Sequence, residues 1–150
     1  MDKKLAIFLT ILCVNNIMTQ TRYIDEVFEN YTKTEDVVYA NAPDLPFIFF
    51  IESNTYDVDL DMDIYEPEGD YESQRPLVIF LYSGSFFTGS NNLDDIVELS
   101  KSAARRGFVA MAINYRLGLN ILSGYSGERA VFRGVQDLSA AIRYAREYHD

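Results

Sequence analysis

Cysteine and histidine each occur once in the 150 residues, as Cys13 and His149. One cysteine excludes an intrachain disulfide and any cysteine-built zinc site. Basic residues are scarce, with 13 Lys and Arg against 23 Asp and Glu, a net charge of −10. Nucleic-acid binding needs clustered Lys and Arg, so this balance argues against nucleic acid as a partner. It argues equally against an anionic membrane surface. Tryptophan is absent, but 11 Tyr, 10 Phe and a 48% hydrophobic content mark a chain that folds around a core.

The first residues have the layout of an export signal. Lys3 and Lys4 precede an apolar run from Leu5 to Val14 that Asn15 and Asn16 end. Such a run is too short to span a bilayer and fits the core of a signal peptide over residues 1–19. Met18 and Thr19 match a small-residue cleavage site poorly. A buried N-terminal helix or strand is the alternative. A lipid anchor on Cys13 is disfavoured by the bulk of Ile11 and Leu12, so no stable membrane anchor is expected. Removal of the signal leaves 11 basic and 22 acidic residues, a net charge of −11, and no cysteine. The expected location is secreted or periplasmic.

Hydrophobic periodicity then places the elements. Tyr23 to Lys33 is weakly amphipathic and reads as a short helix or an arm, and Asp36 to Tyr39 as a strand. Pro43 and Pro46 break the pattern, and Phe47 to Ile51 is a further short apolar run. From Tyr56 to Tyr65, Val58, Leu60, Met62 and Ile64 alternate with Asp57, Asp59, Asp61 and Asp63. Period two predicts a strand with one wet face. Leu77 to Leu81 is continuously apolar, as a central strand covered on both faces reads. Asn91 and Asn92 are candidate caps of a helix whose first turn carries Asp94 and Asp95. Leu93, Ile96, Val97, Ser100 and Ala103 form its stripe, and Gly107 is the expected left-handed residue after it. Phe108 to Ile113 is a second apolar strand, so Leu77 to Ile113 is one βαβ unit with parallel strands. A loop over Gly118 to Gly127 leads to a helix with Val135, Leu138, Ala141, Ile142 and Ala145 at helical spacing.

Four segments carry a resemblance. Leu77 to Ser90 (Leu-Val-Ile-Phe-Leu-Tyr-Ser-Gly-Ser-Phe-Phe-Thr-Gly-Ser) resembles the oxyanion-loop region of esterases and lipases of the α/β-hydrolase superfamily. Ala112 to Gly118 (Ala-Ile-Asn-Tyr-Arg-Leu-Gly) resembles their Asn-Tyr-Arg-Leu-Gly strand end. Arg129 to Arg146 resembles the helix before their nucleophile strand, and Asp59 to Pro67 an early strand. Together, in their order and spacing along the chain, they are similar to the secreted bacterial carboxylesterases and lipases. The resemblance implies an α/β-hydrolase fold, here the N-terminal half of a mostly parallel sheet with βαβ crossovers. It implies a carboxylic ester hydrolase with a Ser-His-Asp/Glu triad, an acyl-enzyme, a small-molecule ester substrate, and neither cofactor nor metal. Residues 20–150 would be the N-terminal part of the domain, ending before the nucleophile elbow.

Of the active site, the resemblance places only the oxyanion hole in this chain, at Gly84 and Ser85. Acyl transfer passes through a tetrahedral oxyanion that fixed backbone N–H groups stabilise. Three of the four positions of the family's His-Gly-Gly-Gly motif differ, with Tyr82, Ser83 and Ser85 in place of His, Gly and Gly. A backbone donor survives a Gly-to-Ser change wherever φ and ψ permit. The alternative reading is a non-catalytic hydrolase-like binding or adhesion domain.

Three other features imitate sites. Gly124-Tyr125-Ser126-Gly127-Glu128 approaches Gly-x-Ser-x-Gly but lacks the second Gly and follows a loop rather than an apolar strand. His149 lies before the expected nucleophile, against the chain order of this fold. Asp57 to Glu68 spaces acids like a calcium loop, yet Met62 stands where glycine is required. No catalytic triad residue is therefore assigned here. Arg116 and Asp137 form a candidate ion pair, suggested by the family's recurrent Tyr-Arg and Gln-Asp segments.

Overall fold

The computed structural model describes residues 21–45 and 55–148. The expected signal segment with Cys13, the run Phe47 to Ile51, Pro46 and His149 lie outside the described residues.

The strands are β1 (Tyr31–Asp44), β2 (Tyr56–Pro67), β3 (Leu77–Leu81) and β4 (Val109–Ile113), and the helices are α1 (Asp94–Arg105) and α2 (Ser126–Glu147). The strands form one sheet in the order β1-β2-β4-β3. β1–β2 and β2–β4 are antiparallel and β3–β4 is parallel, so the described sheet is mixed, with one parallel pair. The β3–α1–β4 unit supplies that pair, as the spacing predicts.

Register sorts the side chains onto two faces. Met62 lies opposite Ile113 and Ile64 opposite Met111, and these pack against Leu138, Ala141 and Tyr144 of α2. Tyr65 lies opposite Ala110, and with Ala112 and Phe80 it packs against Ile96, Ala103 and Ala104 of α1. Alanines on both the strand and the helix let α1 sit close to the sheet.

The acidic face of β2 departs from the expected wet face. Asp57 and Asp59 are exposed, but Asp63 is buried under the α1 layer. Lys33 pairs with Asp63 at 2.9 Å, and the Asp63 carboxylate accepts the N–H of Asp36 at 3.2 Å. Asp36 itself has φ 55° beside a register shift in β1. The alternation identifies a strand but cannot show that a helix covers half of each face. Because Asp57 to Glu68 runs as strand and strand end, its acids do not converge on one point.

Other elements differ from expectation in instructive ways. The segment 21–30 is an arm rather than a helix. Its Tyr23 N–H reaches the Arg106 carbonyl, and those of Val27 and Phe28 reach the Arg105 carbonyl, each at 2.9 Å. The arm thus satisfies carbonyls that the end of α1 leaves without helical partners. Pro43 lies inside β1, which tolerates it as an edge strand of the described sheet. β3 stands at the other edge of the described sheet; Phe80 packs into the α1 side and Ile79 into the α2 side, while Leu77 and Leu81 at its ends are more than a third exposed.

α1 begins after Leu93 without a side-chain cap, so Asn91 and Asn92 do not play the expected role. It ends as expected: Gly107 has φ 97°, its N–H donates to Ala104, and that of Phe108 donates to Ala103. α2 starts at Ser126 and buries Ala130, Gly134, Asp137 and Ala141, whereas Val135 and Ile142 are more than a third exposed. Leu138, Ala141 and Ala145 of the expected stripe pack against the sheet, and the buried face also takes in Ala130, Gly134 and Asp137.

Candidate active site

β3 and β4 both end at one rim of the sheet, the carboxyl edge where α/β sheets bind ligands. Segments 82–90 and 114–118 leave the strands there. Tyr82, the first residue after β3, and Tyr115, the second after β4, are buried and stacked, with ring centroids 4.4 Å apart at 19°. The Tyr82 hydroxyl donates to the Tyr115 carbonyl at 3.0 Å, and the Tyr115 hydroxyl donates to the Tyr82 carbonyl at 2.9 Å. Burial pushes both phenols up, so each remains protonated and a donor. Phe86 meets the Tyr115 ring edge-on at 5.6 Å.

The loop between them is tightly wound. The Gly84 carbonyl accepts the N–H of Phe87 at 2.9 Å and that of Thr88 at 3.3 Å. A Cβ on Gly84 would overlap the Thr88 carbonyl oxygen, so only glycine fits. Ser85 and Phe86 follow in left-handed backbone, at φ 54° and 59°. Such conformations cost about 1–3 kcal/mol each and gather at functional sites. The Phe86 carbonyl, turned outward by this kink, accepts the N–H of Gly118 at 2.9 Å and of Leu119 at 3.0 Å. The N–H groups of Gly84 and Ser85 donate to no group among the described residues. Gly84 and Ser85 line a cleft of about 380 Å³ between this loop and the exposed Val131 and Val135 of α2.

A polar network braces the same rim. The Asn91 N–H donates to Asn114 Oδ1 at 2.8 Å, and Asn114 Nδ2 donates to Asp61 at 2.6 Å and to Asn91 Oδ1 at 3.1 Å. The Tyr39 hydroxyl donates to the Asn114 carbonyl at 2.6 Å. Asn91 is therefore a buried tie to β4 rather than a helix cap. Across the tyrosine pair, a second cleft of about 340 Å³ carries Asp44, Ser90 and Asn114. Burial pushes the Asp44 carboxyl up.

The Arg116–Asp137 pair forms, and it is buried. Arg116 Nε and Nη2 reach Asp137 Oδ1 at 3.0 and 2.6 Å, the Arg116 N–H donates to Oδ2 at 2.8 Å, and Nη1 donates to the Pro43 carbonyl at 2.8 Å. One guanidinium thus joins the β4 end, α2 and β1.

Ser126 opens α2, with its hydroxyl buried and donating to the Asn120 carbonyl at 2.5 Å, which is not a nucleophile's setting. Among the described residues, no group of three or more His, Cys, Asp or Glu is disposed to hold a metal ion. No described helix is long and apolar enough to cross a membrane. Sequence reasoning missed Tyr115 and Asn114 as partners of the loop. Their only signal was the Asn-Tyr-Arg-Leu-Gly segment, whose side chains gave no hint of contact with Tyr82 or Asn91.

The BD-FAE family profile, of α/β-hydrolase type, matches residues 62–149, from β2 through α2 and so across the whole rim. The chain belongs to the BD-FAE family. Solved structures agree on the α/β-hydrolase fold. Esterase B from Lactobacillus rhamnosis, inhibited by a tributyrin phosphonate, superposes with a TM-score of 0.54 at 20% identity, over 99% of this chain and 41% of that one. Another structure of esterase B gives 0.52 at 18%, over 97% of this chain and 38% of that one. Neuroligin-like protein glit-1 of Caenorhabditis elegans is 27% identical over 116 residues, which are 75% of this chain and 15% of that protein. This BD-FAE chain therefore spans less than half the length of each of these relatives.

Proposed function

We propose that the complete protein is a serine carboxylic ester hydrolase, with Gly84 and Ser85 as its oxyanion loop. One observation carries the reading. Two adjacent backbone N–H groups, free among the described residues, are held by a strained turn at the carboxyl rim of a BD-FAE domain. In this reading a serine beyond Asp150 attacks the ester carbonyl. The oxyanion is bound by N–H groups of Gly84 and Ser85 together with the amide after the nucleophile. Each such donor lowers the barrier by roughly 2.7–4 kcal/mol. A histidine, also beyond Asp150 and oriented by an acid, takes the serine proton and gives it to the leaving alcohol. The substrate is a small-molecule ester. Lys3, Lys4 and the apolar run from Leu5 support export through a signal peptide.

The test is hydrolysis of a short-chain aryl ester by the complete protein. Turnover that disappears when the serine of a downstream Gly-x-Ser-x-Gly is changed to Ala is the expected result. No turnover, with serine, acid and histidine verified present, overturns it. Residues 1–150 alone should be inactive, because they hold none of the triad.

A second reading is a non-catalytic binding or adhesion domain. The departures at Tyr82, Ser83 and Ser85 favour it, and one relative bears the name neuroligin-like rather than esterase. A downstream sequence lacking the serine or the histidine selects this reading.

A further inference from the structure

Three ties hold the loop over 82–91, and all three end on the single segment 114–119. The Tyr82 and Tyr115 hydroxyls exchange hydrogen bonds with each other's carbonyls. The Phe86 carbonyl receives the N–H groups of Gly118 and Leu119. The Asn91 N–H donates to Asn114 Oδ1. The tyrosine tie and the Phe86 tie flank Gly84 and Ser85 on either side. The two tyrosine rings lie flat on one another and are shut off from water, so neither hydrogen bond has a solvent competitor. Gly89 closes the far side of the Tyr82 ring, where a Cβ would overlap it, so the loop is wrapped around that side chain.

We infer that Tyr82 is a positioning residue for the oxyanion loop, and that the reciprocal Tyr82–Tyr115 pair aims the N–H groups of Gly84 and Ser85. The inference rests on the esterase reading for its catalytic consequence, but its structural half stands alone. A left-handed kink at Ser85 and Phe86 is unstable by itself and persists only where its surroundings over-determine it. The Tyr82 hydroxyl fixes the chain immediately before the kink, and the Phe86 carbonyl fixes it at the end. Gly84 and Ser85 lie between these two ties, so turning their amides away would strain or break one of them. The pair also bridges the ends of two parallel strands, so the direction of the donors is set by the sheet rather than by the loop alone.

The experiment uses the complete protein and the variant Tyr82→Phe, which keeps the ring and its stacking and removes one hydroxyl. Two readouts are taken. The first is amide hydrogen exchange at Phe87, Thr88, Gly118 and Leu119, the donors that close and clamp the loop, with α1 amides as the reference. Exchange should accelerate at these four and stay unchanged in α1. The second is the kinetics of a short-chain aryl ester. Misplacing a reacting group by about 1 Å costs on the order of 100-fold, so kcat should fall about 10-fold or more with KM little changed. Tyr115→Phe should reproduce both effects, and Tyr82→His, which restores the family's residue, should recover part of kcat. Unchanged exchange at the four loop amides overturns the inference, as does accelerated exchange with an unchanged kcat in an active protein. If the unaltered protein has no turnover with its triad verified, the esterase reading fails, and the exchange result decides the positioning claim by itself.

Discussion

Arg116 and Asp137 illustrate how much one pair can hold. Their side chains are 7% and 2% exposed, and the guanidinium also serves the Pro43 carbonyl of β1. Breaking a buried pair by removing one partner leaves a charge without compensation and costs about 3–5 kcal/mol. Arg116→Ala and Asp137→Ala should each destabilise the complete protein on that scale in urea unfolding. The double variant should lose much less than the sum, since it strands no charge. A cycle showing no coupling would remove the pair as a structural tie. Sequence suggested this pair only through resemblance. The contact of Tyr82 with Tyr115 had no signal beyond the Asn-Tyr-Arg-Leu-Gly segment, because hydroxyl-to-carbonyl bonds between residues 33 apart leave no pattern in the chain.

The N-terminal arm has a stability of its own. It is tied to α1 by Glu26, which meets Arg105 Nε at 2.8 Å and Arg106 Nη1 at 3.3 Å. A second tie runs from Arg22 to the buried carboxylate of Asp70. The Arg105 hydrogen bond holds the Glu26 carboxyl below the usual range, and Arg22 does the same for Asp70. Groups with depressed values contribute their stabilisation while ionised and lose it as pH falls through the folded value. The arm should therefore stay docked at pH 5 and loosen below about pH 4, near the ordinary carboxylate value. Amide exchange at Tyr23, Val27 and Phe28, compared across that range after correction for intrinsic rates, checks this. In Asp70→Asn the arm should already exchange faster at pH 5 and respond less to acid; an identical profile would refute the ion-pair account. The arm itself was half legible: its spacing allowed a helix, but the carbonyls at the end of α1 offered its amides better partners.

For the whole molecule, large apolar side chains are exposed on several elements among the described residues. Leu77 and Leu81 on the β3 edge are more than a third exposed, and Val131, Phe132 and Val135 on α2 about half or more. An uncovered strand edge next to apolar side chains is a template for association. Residues 20–150 produced alone should self-associate or fail to show a stable fold. A monomeric protein with a cooperative unfolding transition would refute this.

Local pattern by itself determined the elements. The alternation of Tyr56 to Tyr65, the apolar runs at Leu77 and Phe108, and the glycine at 107 each encode a conformation within a few residues, because pleat, burial and left-handed backbone are properties of short stretches. The βαβ order then dictated the parallel pair and placed Gly84 and Ser85 at the carboxyl rim. Tertiary structure alone decided which charged groups are buried, which face of α2 packs, and what holds the loop over 82–91. Asp63, Asp137, Tyr82 and Asn91 find their partners on segments distant in the chain. A hydrogen bond across such a distance depends on three-dimensional register, which composition and spacing do not carry.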